Sequence, residues 1–155
     1  MKPDFMEQAI RLSVENVDAN RGGPFGAVII KNGEIIANGA NRVAEANDPT
    51  AHAEIIAIRA ACIKLNSYNL QGCEIYCSCE PCPMCLGAIY WAQIGRIWFA
   101  TTKEDAAGYH FDDQFIYNEI NKPYSERKLA TKQIMREKAL EAFRLWYKSE
   151  NKKLY

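Results

Sequence analysis

The pattern of apolar and polar residues along the chain predicts alternating helices and strands. A first amphipathic helix is indicated by apolar side chains at spacings of four, four and three residues: Met6, Ile10, Val14 and Val17. The sequence RGGPFG then breaks the helical pattern. A β-hairpin is predicted to follow, formed by AVII, the turn KNG and EIIANG, because Asn32 and Gly33 readily adopt the positive φ angles of a tight turn.

The rest of the pattern adds three helices and two strands. Helices are predicted over residues 51–65, 82–94 and 133–149, and strands over residues 73–79 and 96–102. Residues 105–127 are predicted to be irregular with short helical stretches. This order of elements is typical of a mixed sheet covered by helices, which is an α/β layered domain. No repeat, low-complexity tract or linker divides residues 1–155, so we expect a single domain.

Composition and charge narrow the classes of function. With 155 residues and a mass of 17.6 kDa, the chain is long enough to bury its own core. Lys and Arg number 19, Asp and Glu also number 19, and this balance argues against a general nucleic-acid binder. The start MKPDFMEQAI lacks the apolar core of a signal peptide, and no apolar run reaches the roughly 20 residues of a membrane span. We therefore expect a cytoplasmic protein with no membrane partner.

Two short motifs carry the candidate chemistry. TAHAE places His52 two residues before Glu54, and PCPMC places Cys82 and Cys85 three residues apart at the predicted start of a helix. Residues i and i+3 share a helix face, so both sulfurs can reach one ion, and a helix start also favours thiolates. One imidazole and two thiolates suit Zn²⁺ and leave one tetrahedral position open for water. The sequence therefore predicts zinc on His52, Cys82 and Cys85.

Glu54 is predicted to act on that water and not to bind the metal. Zinc lowers the pKa of bound water from about 15.7 towards 7, so a nearby carboxylate can take its proton. Glu54 would then protonate a ring nitrogen of the substrate and later the departing amine. An aromatic amidine carbon is the natural target, and the products are ammonia and a carbonyl. The residues therefore predict hydrolytic deamination.

Other interpretations of the same cysteines stay open at this point. Disulfides are one alternative, although clustered cysteines in the cytosol more often bind metal or do chemistry. A structural zinc knot is another, built from Cys77, Cys79, Cys82 and Cys85. That knot would leave the histidine and glutamate of TAHAE without a role, and structural sites usually split their ligand pairs around a long loop.

Several further residues have ordinary structural interpretations. Cys62 and Cys73 are expected to be buried small hydrophobic residues, and His110 is expected to be a loop histidine and not a ligand. Asp113 in FDDQF is either a helix cap or a second carboxylate near the substrate. Four large aromatic residues are expected in the core or in an interface: Tyr90, Trp91, Trp98 and Phe99.

HAE followed by PCPMC resembles the signature of the zinc-dependent nucleobase and nucleoside deaminase superfamily, whose Glu lies outside the metal shell. Over nearly its whole length the chain is similar to bacterial guanine deaminases of the small, cytidine-deaminase-like type. GGPFGAVI, NDPTAHAE and SCEPCPMCLGAIYWA are shared with adenosine and cytosine deaminases, whereas FDDQFIYNEINKP and the terminal NKKLY are more selective. The fold expected with this resemblance is a three-layer α-β-α sandwich around a central mixed five-stranded sheet.

The resemblance also implies a role for each matching residue. It places one zinc ion per subunit on the histidine and two cysteines named above, and it makes Glu54 and Asp113 catalytic. It assigns substrate binding to Phe25, Asn41, the backbone N–H of Ala53, Trp91 and Tyr155. The C-terminal segment, about residues 107–155, would close the active site of the partner subunit in a domain-swapped homodimer. Asp113, Trp91 and Tyr155 would then belong to the partner's pocket.

The function expected from motifs and resemblance together is zinc-dependent hydrolysis of guanine to xanthine and ammonia. The partner would be a small-molecule purine and not a nucleic acid. Guanosine deamination is a close alternative because it needs the same chemistry with room for ribose. Deamination of tRNA adenosine shares the zinc motifs, and a non-catalytic zinc-stabilised module is the alternative outside enzymes.

Overall fold

The computed structural model of the protein describes residues 3–153, so Tyr155 lies outside the described residues. The chain divides into two compact units, one ending at Gln114 and one beginning at Phe115. The strands are β1 (Gly26–Lys31), β2 (Glu34–Ala40), β3 (Cys73–Cys79) and β4 (Arg96–Thr101). The helices are α1 (Pro3–Asp18), α2 (Val43–Ala46), α3 (Ala53–Leu65), α4 (Pro83–Trp91), α5 (Lys103–Ala107), α6 (Gln114–Ile120) and α7 (Arg136–Lys148), with a 3₁₀ turn at Tyr124–Glu126.

The sheet is mixed, as predicted, and has the strand order β2-β1-β3-β4. Strands β1 and β2 form an antiparallel hairpin whose turn residues Asn32 and Gly33 have φ angles of 53° and 82°. This confirms the predicted tight turn, since positive φ at both central positions matches the twist of a hairpin. Strand β1 also pairs with β3 in the antiparallel direction. Strands β3 and β4 are parallel neighbours, and helix α4 connects them along the chain.

The prediction of five strands is wrong, because within residues 3–153 the sheet has four strands. Strand β4 ends at a strong helix-start signal. The Thr102 hydroxyl accepts from the Asp105 N–H, and the Asp105 carboxylate accepts from the Thr102 N–H, which is a complete capping box. The chain therefore turns into α5, and the regular elements described after it are helical.

Helices cover both faces of the sheet in the first unit, which confirms the three-layer arrangement. One face buries Ala27, Ile29 and Ile75 against α3 and α4. The other face buries Val28 and Tyr76 against α1. Because alternate residues of β1 point to opposite faces, this strand is buried on both sides and contains no charged residue before its last position.

Three of the four residues in the predicted apolar stripe of α1 face solvent, whereas Met6 packs against the core. Ile10, Val14 and Val17 are 41 to 53% exposed, whereas Ala9, Ser13 and Asn16 are buried. The reason lies in how closely the helix approaches the sheet. A Cβ atom at Gly26 would lie 2.2 Å from the Ala9 carbonyl oxygen and 2.9 Å from the Ser13 nitrogen, so the helix turn that carries Ala9 and Ser13 lies directly on the strand.

The second unit contains short helices joined by hydrogen bonds from side chains. The Arg127 guanidinium donates to the carbonyls of Ile120 and Lys122, each at 3.1 Å, and the Glu119 carboxylate accepts from the Lys128 N–H at 2.7 Å. Helix α7 buries none of its described residues, and its apolar side chains Phe143 and Leu145 are largely exposed. Within residues 3–153, no helix combines the length and the apolar character needed to cross a bilayer.

Candidate active site

The starts of helices α3 and α4 bring three potential metal ligands together. His52 and Cys82 occupy the N-cap positions of α3 and α4, and Cys85 lies in the first turn of α4. The His52 Nδ1 atom is 3.5 Å from the Cys82 sulfur and 3.6 Å from the Cys85 sulfur. All three ligand atoms lie within 4.8 Å of one another. The residues that the sequence predicts for zinc therefore form one cluster.

The spacing of these atoms fits a tetrahedral zinc ion. Zn–S bonds of about 2.3 Å and Zn–N bonds of about 2.0–2.1 Å at the tetrahedral angle place nitrogen and sulfur about 3.6 Å apart. Both measured nitrogen–sulfur distances match this value. Two sulfurs and one imidazole are a borderline-soft donor set that zinc prefers over magnesium or calcium.

The alternative arrangements of the cysteines are not found in the described chain. In residues 3–153 the metal-binding cluster comprises one histidine and two cysteines, and it does not include Cys77 or Cys79. All six cysteines are free thiols, so the disulfide interpretation is also excluded there. Cys77 is buried in the core, and Cys79 lies at the cavity described below. Of the two cysteines expected in the core, Cys73 is buried and Cys62 is half-buried against it.

Hydrogen bonds within the cluster favour a thiolate. The Cys85 thiol donates to the Cys82 sulfur, and together with His52 this lowers the pKa of Cys82 to about 4. The same hydrogen bond, with burial, raises the pKa of Cys85. Hydrogen bonding to Cys82 raises the pKa of His52, against the opposing effect of burial. Cys82 is therefore an anion at neutral pH, and the cluster attracts a cation.

Glu54 lies beside this cluster in the first turn of α3 and is only 7% exposed. Burial raises the pKa of its carboxyl group, and the nearby Cys82 thiolate raises it further. A carboxyl group held in this way takes up and releases a proton more easily near neutral pH than an exposed glutamate does. Its position and its environment both suit a proton carrier.

His52, Cys82 and Glu54 line one cavity of about 420 Å³. This volume is at the lower end of the range for small-molecule sites. Of the residues predicted to contact substrate, Phe25, Asn41 and Asp113 line the cavity. Two others are placed elsewhere: the Ala53 side chain is buried in the core, and Trp91 is 70% exposed at the end of α4, outside this lining.

Asn41 presents a hydrogen-bond donor to the cavity. Its side-chain Oδ1 accepts from the backbone N–H groups of Gly23 at 3.3 Å and Val43 at 3.2 Å. Both bonds use the oxygen, so they fix the orientation of the amide. The Nδ2 group makes no hydrogen bond within the described part of the chain and stays available to an acceptor on a ligand.

The two aspartates of FDDQF, Asp112 and Asp113, have different environments, one at a helix start and one at the cavity. The Asp112 Oδ1 atom accepts from the Gln114 N–H at 2.9 Å, so Asp112 satisfies the first free N–H of helix α6. Asp113 lies at the cavity of its own chain, where burial and the Cys82 thiolate raise its pKa.

The cavity contains residues that the sequence did not single out for this role. Phe111 packs edge-on against Phe25 with ring centroids 5.0 Å apart, and His110 and the ion pair of Glu80 with Lys103 also line the wall. His110 lies outside the metal cluster, as predicted. These residues follow β3 and β4, and no local pattern marks which residues after a strand turn towards a cavity.

Comparison with known proteins assigns the chain to a family. The sequence pattern described as the cytidine and deoxycytidylate deaminase zinc-binding region matches residues 1–101. The chain belongs to this zinc-binding deaminase family. Within the family, it is 52% identical to guanine deaminase from Bacillus subtilis over 151 residues, which is 97% of each chain.

Structure comparison agrees with the sequence comparison. The crystal structure of guanine deaminase from Bacillus subtilis has a TM-score of 0.97 at 51% identity, covering 100% of this chain and 99% of that one. A tRNA-specific adenosine deaminase from Aquifex aeolicus is also similar, at 46% identity over 85 residues. That match covers 55% of this chain and 56% of the other. The deaminase fold and a zinc-binding site made of His52, Cys82 and Cys85 are therefore those of the family.

Proposed function

We propose that this deaminase hydrolyses guanine to xanthine and ammonia. The observation that supports deamination is the cluster of His52, Cys82 and Cys85. The buried Glu54 lies beside this cluster and lines the same cavity as His52 and Cys82. The likeness to guanine deaminase from Bacillus subtilis along 97% of the chain supports guanine as the base. The likeness to the Aquifex aeolicus tRNA-specific enzyme covers only 55% of the chain.

The chain's own residues supply the proton transfers. Zinc bound at the cluster would activate a water molecule by lowering its pKa towards 7. The Glu54 carboxylate takes one proton from this water and delivers it to a ring nitrogen next to C2 of guanine, which makes that carbon more electrophilic. Glu54 then moves the second proton of the water to the departing 2-amino group, which leaves as ammonia. The water oxygen remains on C2 as the new carbonyl of xanthine.

Other residues hold the base in place. Asn41 Nδ2 donates to an acceptor on the purine edge, and the Phe25 ring packs against the base, supported by its contact with Phe111. Ala53 is the first residue of α3, so its backbone N–H belongs to the free donors of the helix start and can orient the base. Asp113 supplies a second carboxylate that recognises a ring N–H or assists proton transfer.

Incubating the zinc-loaded protein with guanine tests the proposal directly. Equal amounts of xanthine and ammonia are expected, and no turnover by protein that contains one zinc per chain would reject the reaction. Guanosine in a parallel assay separates the base from the nucleoside. A tRNA stem-loop with adenosine at the editing position, assayed at two salt concentrations, covers the remaining alternative. Faster release of ammonia from tRNA than from guanine would overturn the choice of substrate.

We also propose that the protein is a homodimer in which the end of one chain closes the active site of the other. Two observations support an intermolecular role for the second unit. Helix α7 buries none of its described residues, and large apolar side chains such as Phe143 and Tyr147 are mostly exposed. Exposed apolar patches of this kind mark association surfaces. In this proposal Trp91 and Tyr155 reach the partner subunit's pocket.

Complementation between two inactive variants tests the exchange. A Glu54→Gln chain keeps its C-terminus, and a chain lacking Tyr155 keeps its proton carrier. Refolding the two together forms mixed dimers, in which one site combines an intact Glu54 with an intact Tyr155 from the other chain. Recovery of guanine turnover is expected. A monomer by light scattering, full activity without Tyr155, or mixed dimers without recovered turnover would each reject this arrangement.

A further inference from the structure

A buried asparagine that lies outside the cavity wall joins the two segments that carry Phe25 and Asn41. Asn16 is fully buried on α1, and its Nδ2 group donates to the carbonyl oxygen of Gly23 at 3.0 Å and to that of Asn41 at 2.9 Å. An amide nitrogen has two hydrogens, so both donors are used. The residue therefore ties the chain before β1 to the chain after β2.

The bonds around Asn16 form a closed clamp on Asn41. Gly23 N–H donates to the Asn41 side-chain oxygen at 3.3 Å, while Asn41 N–H donates to the Phe25 carbonyl at 3.1 Å. Phe25 N–H in turn donates to the same Gly23 carbonyl that Asn16 binds, at 2.9 Å. Asn16 thus binds the backbone carbonyls of Gly23 and Asn41. These are the two residues joined by the bond that orients the Asn41 side-chain amide.

The clamp is also sterically tight. A Cβ atom at Gly22 would lie 2.5 Å from the Asn41 carbonyl oxygen, 2.9 Å from Asn41 Oδ1 and 3.2 Å from Asn16 Nδ2. The turn before β1 therefore passes directly over both oxygens of Asn41 and the amide nitrogen of Asn16. The Asn16 Oδ1 atom is buried without a hydrogen-bond partner among the described residues, so the two bonds from Nδ2 alone hold this amide in place.

We propose that Asn16 is a positioning residue for purine recognition. By fixing the backbone of Gly23 and Asn41, it sets where the Asn41 donor and the Phe25 ring meet the base. It touches neither the base nor the zinc ligands, so it acts on binding and leaves proton transfer at Glu54 largely intact. This inference deepens the proposed function and rests on a purine occupying the cavity.

Kinetics and binding of an Asn16→Ala variant test the role. Loss of a buried hydrogen bond predicts a rise of about 5- to 100-fold in KM for guanine, with a smaller change in kcat. Hypoxanthine keeps the purine ring and the 6-oxo group but has no amine to lose, so its Kd by calorimetry should rise in parallel. The matched control is Ser13→Ala. Ser13 is buried on the same helix, but its hydroxyl donates to Ile10 O within that helix, so KM and Kd should stay at wild-type values.

A double-mutant cycle separates positioning from a general loss of stability. In an Asn41→Ala background, Asn16→Ala should change KM and the hypoxanthine Kd by about threefold or less, because the Asn41 donor is already gone and only the Phe25 ring is left to position. Equal effects in both backgrounds would overturn the inference. A folded, zinc-containing Asn16→Ala protein with wild-type KM and Kd would overturn it as well.

Gly22→Ala perturbs the same clamp from the turn, in case Asn16→Ala does not fold. The same rise in KM and Kd is expected, whereas Gly95→Ala should change neither, because its Cβ atom would meet only Cys73 O at 3.6 Å. Wild-type values in Gly22→Ala would count against the clamp. Wild-type protein that binds hypoxanthine but releases no ammonia from guanine would reject the proposed reaction alone, since the Kd values still test Asn16.

Discussion

Strand β2 contacts helix α3 through Gly39, and this contact sets the position of the active-site helix. A Cβ atom at Gly39 would lie 2.3 Å from the Ala53 carbonyl oxygen and 2.8 Å from the Ala57 nitrogen, and both atoms are main chain. Real Cβ contacts are at least 3.0 Å, so in Gly39→Ala the Ala53 carbonyl must retreat by about 0.7 Å. Ala53 lies between His52 and Glu54, so the zinc ligand and the proton carrier move with it.

Two magnitudes follow from this displacement. Overpacking of this kind destabilises by about 1–3 kcal/mol, which for a chain of this length lowers Tm by about 2 to 12 °C. Displacing catalytic groups by about 1 Å costs up to about 10²-fold in rate. We therefore expect Gly39→Ala to lower kcat by about tenfold or more and to weaken zinc binding, because the His52 nitrogen is no longer at bonding distance from an ion held by the two sulfurs.

Gly26→Ala is the matched control on the other face of the sheet. Its Cβ atom would lie 2.2 Å from Ala9 O and 2.9 Å from Ser13 N, so it pushes on α1, which carries neither the zinc ligands nor Glu54. A similar fall in Tm is expected, with kcat and zinc affinity close to those of the wild type. Circular dichroism, competition with a chelator and initial rates measure the three quantities. Wild-type kcat and zinc affinity in Gly39→Ala, or equal losses in both variants, would refute the reasoning.

Three further changes test individual side chains. Glu54→Gln should keep zinc and fold but lose about 10²–10⁴-fold in kcat, because the amide cannot carry protons, and unchanged turnover would remove the mechanism. His52→Ala should lose zinc and stability while His110→Ala keeps its metal, as measured by metal analysis and Tm; equal zinc content in both would exclude His52 as a ligand. Asp113→Asn should lower kcat/KM by about tenfold or more with its Tm retained, whereas Asp112→Ala should act chiefly on stability, by about 0.5–2 kcal/mol through the lost bond to the helix start. A loss of kcat/KM in Asp112→Ala with only a loss of stability in Asp113→Asn would contradict these assignments.

Local signals in the sequence predicted much of the fold and the metal site. Asn32 and Gly33 are exposed and have the positive φ angles that these residue types favour, so the residue types alone predicted the hairpin. Strand β3 runs from Cys73 to Cys79, the bounds that its pattern predicted. The zinc ligands were found because ligand chemistry restricts both residue type and spacing, wherever the motif lies along the chain.

The errors concern features that depend on distant segments. Helix α1 lies against Gly26 on a strand that follows it in sequence, and this contact buries Ala9 and Ser13 while Ile10 is 41% exposed. Asn16 gave a weak signal, a polar residue seven positions after Ala9 and therefore on the same helix face. Nothing in FDDQF distinguishes Asp112 from Asp113, because only the tertiary fold decides which carboxylate faces a cavity.

His52 and Cys82 hold the positions where a helix normally carries a serine, threonine or aspartate. Among the described residues, neither side chain makes a capping hydrogen bond to its own helix. With zinc bound, His52 and Cys82 would anchor both first turns to the metal in place of a conventional cap. Amide hydrogen exchange should consequently accelerate first at these two helix starts when zinc is chelated, so that exchange protection there reports metal loading before any global unfolding.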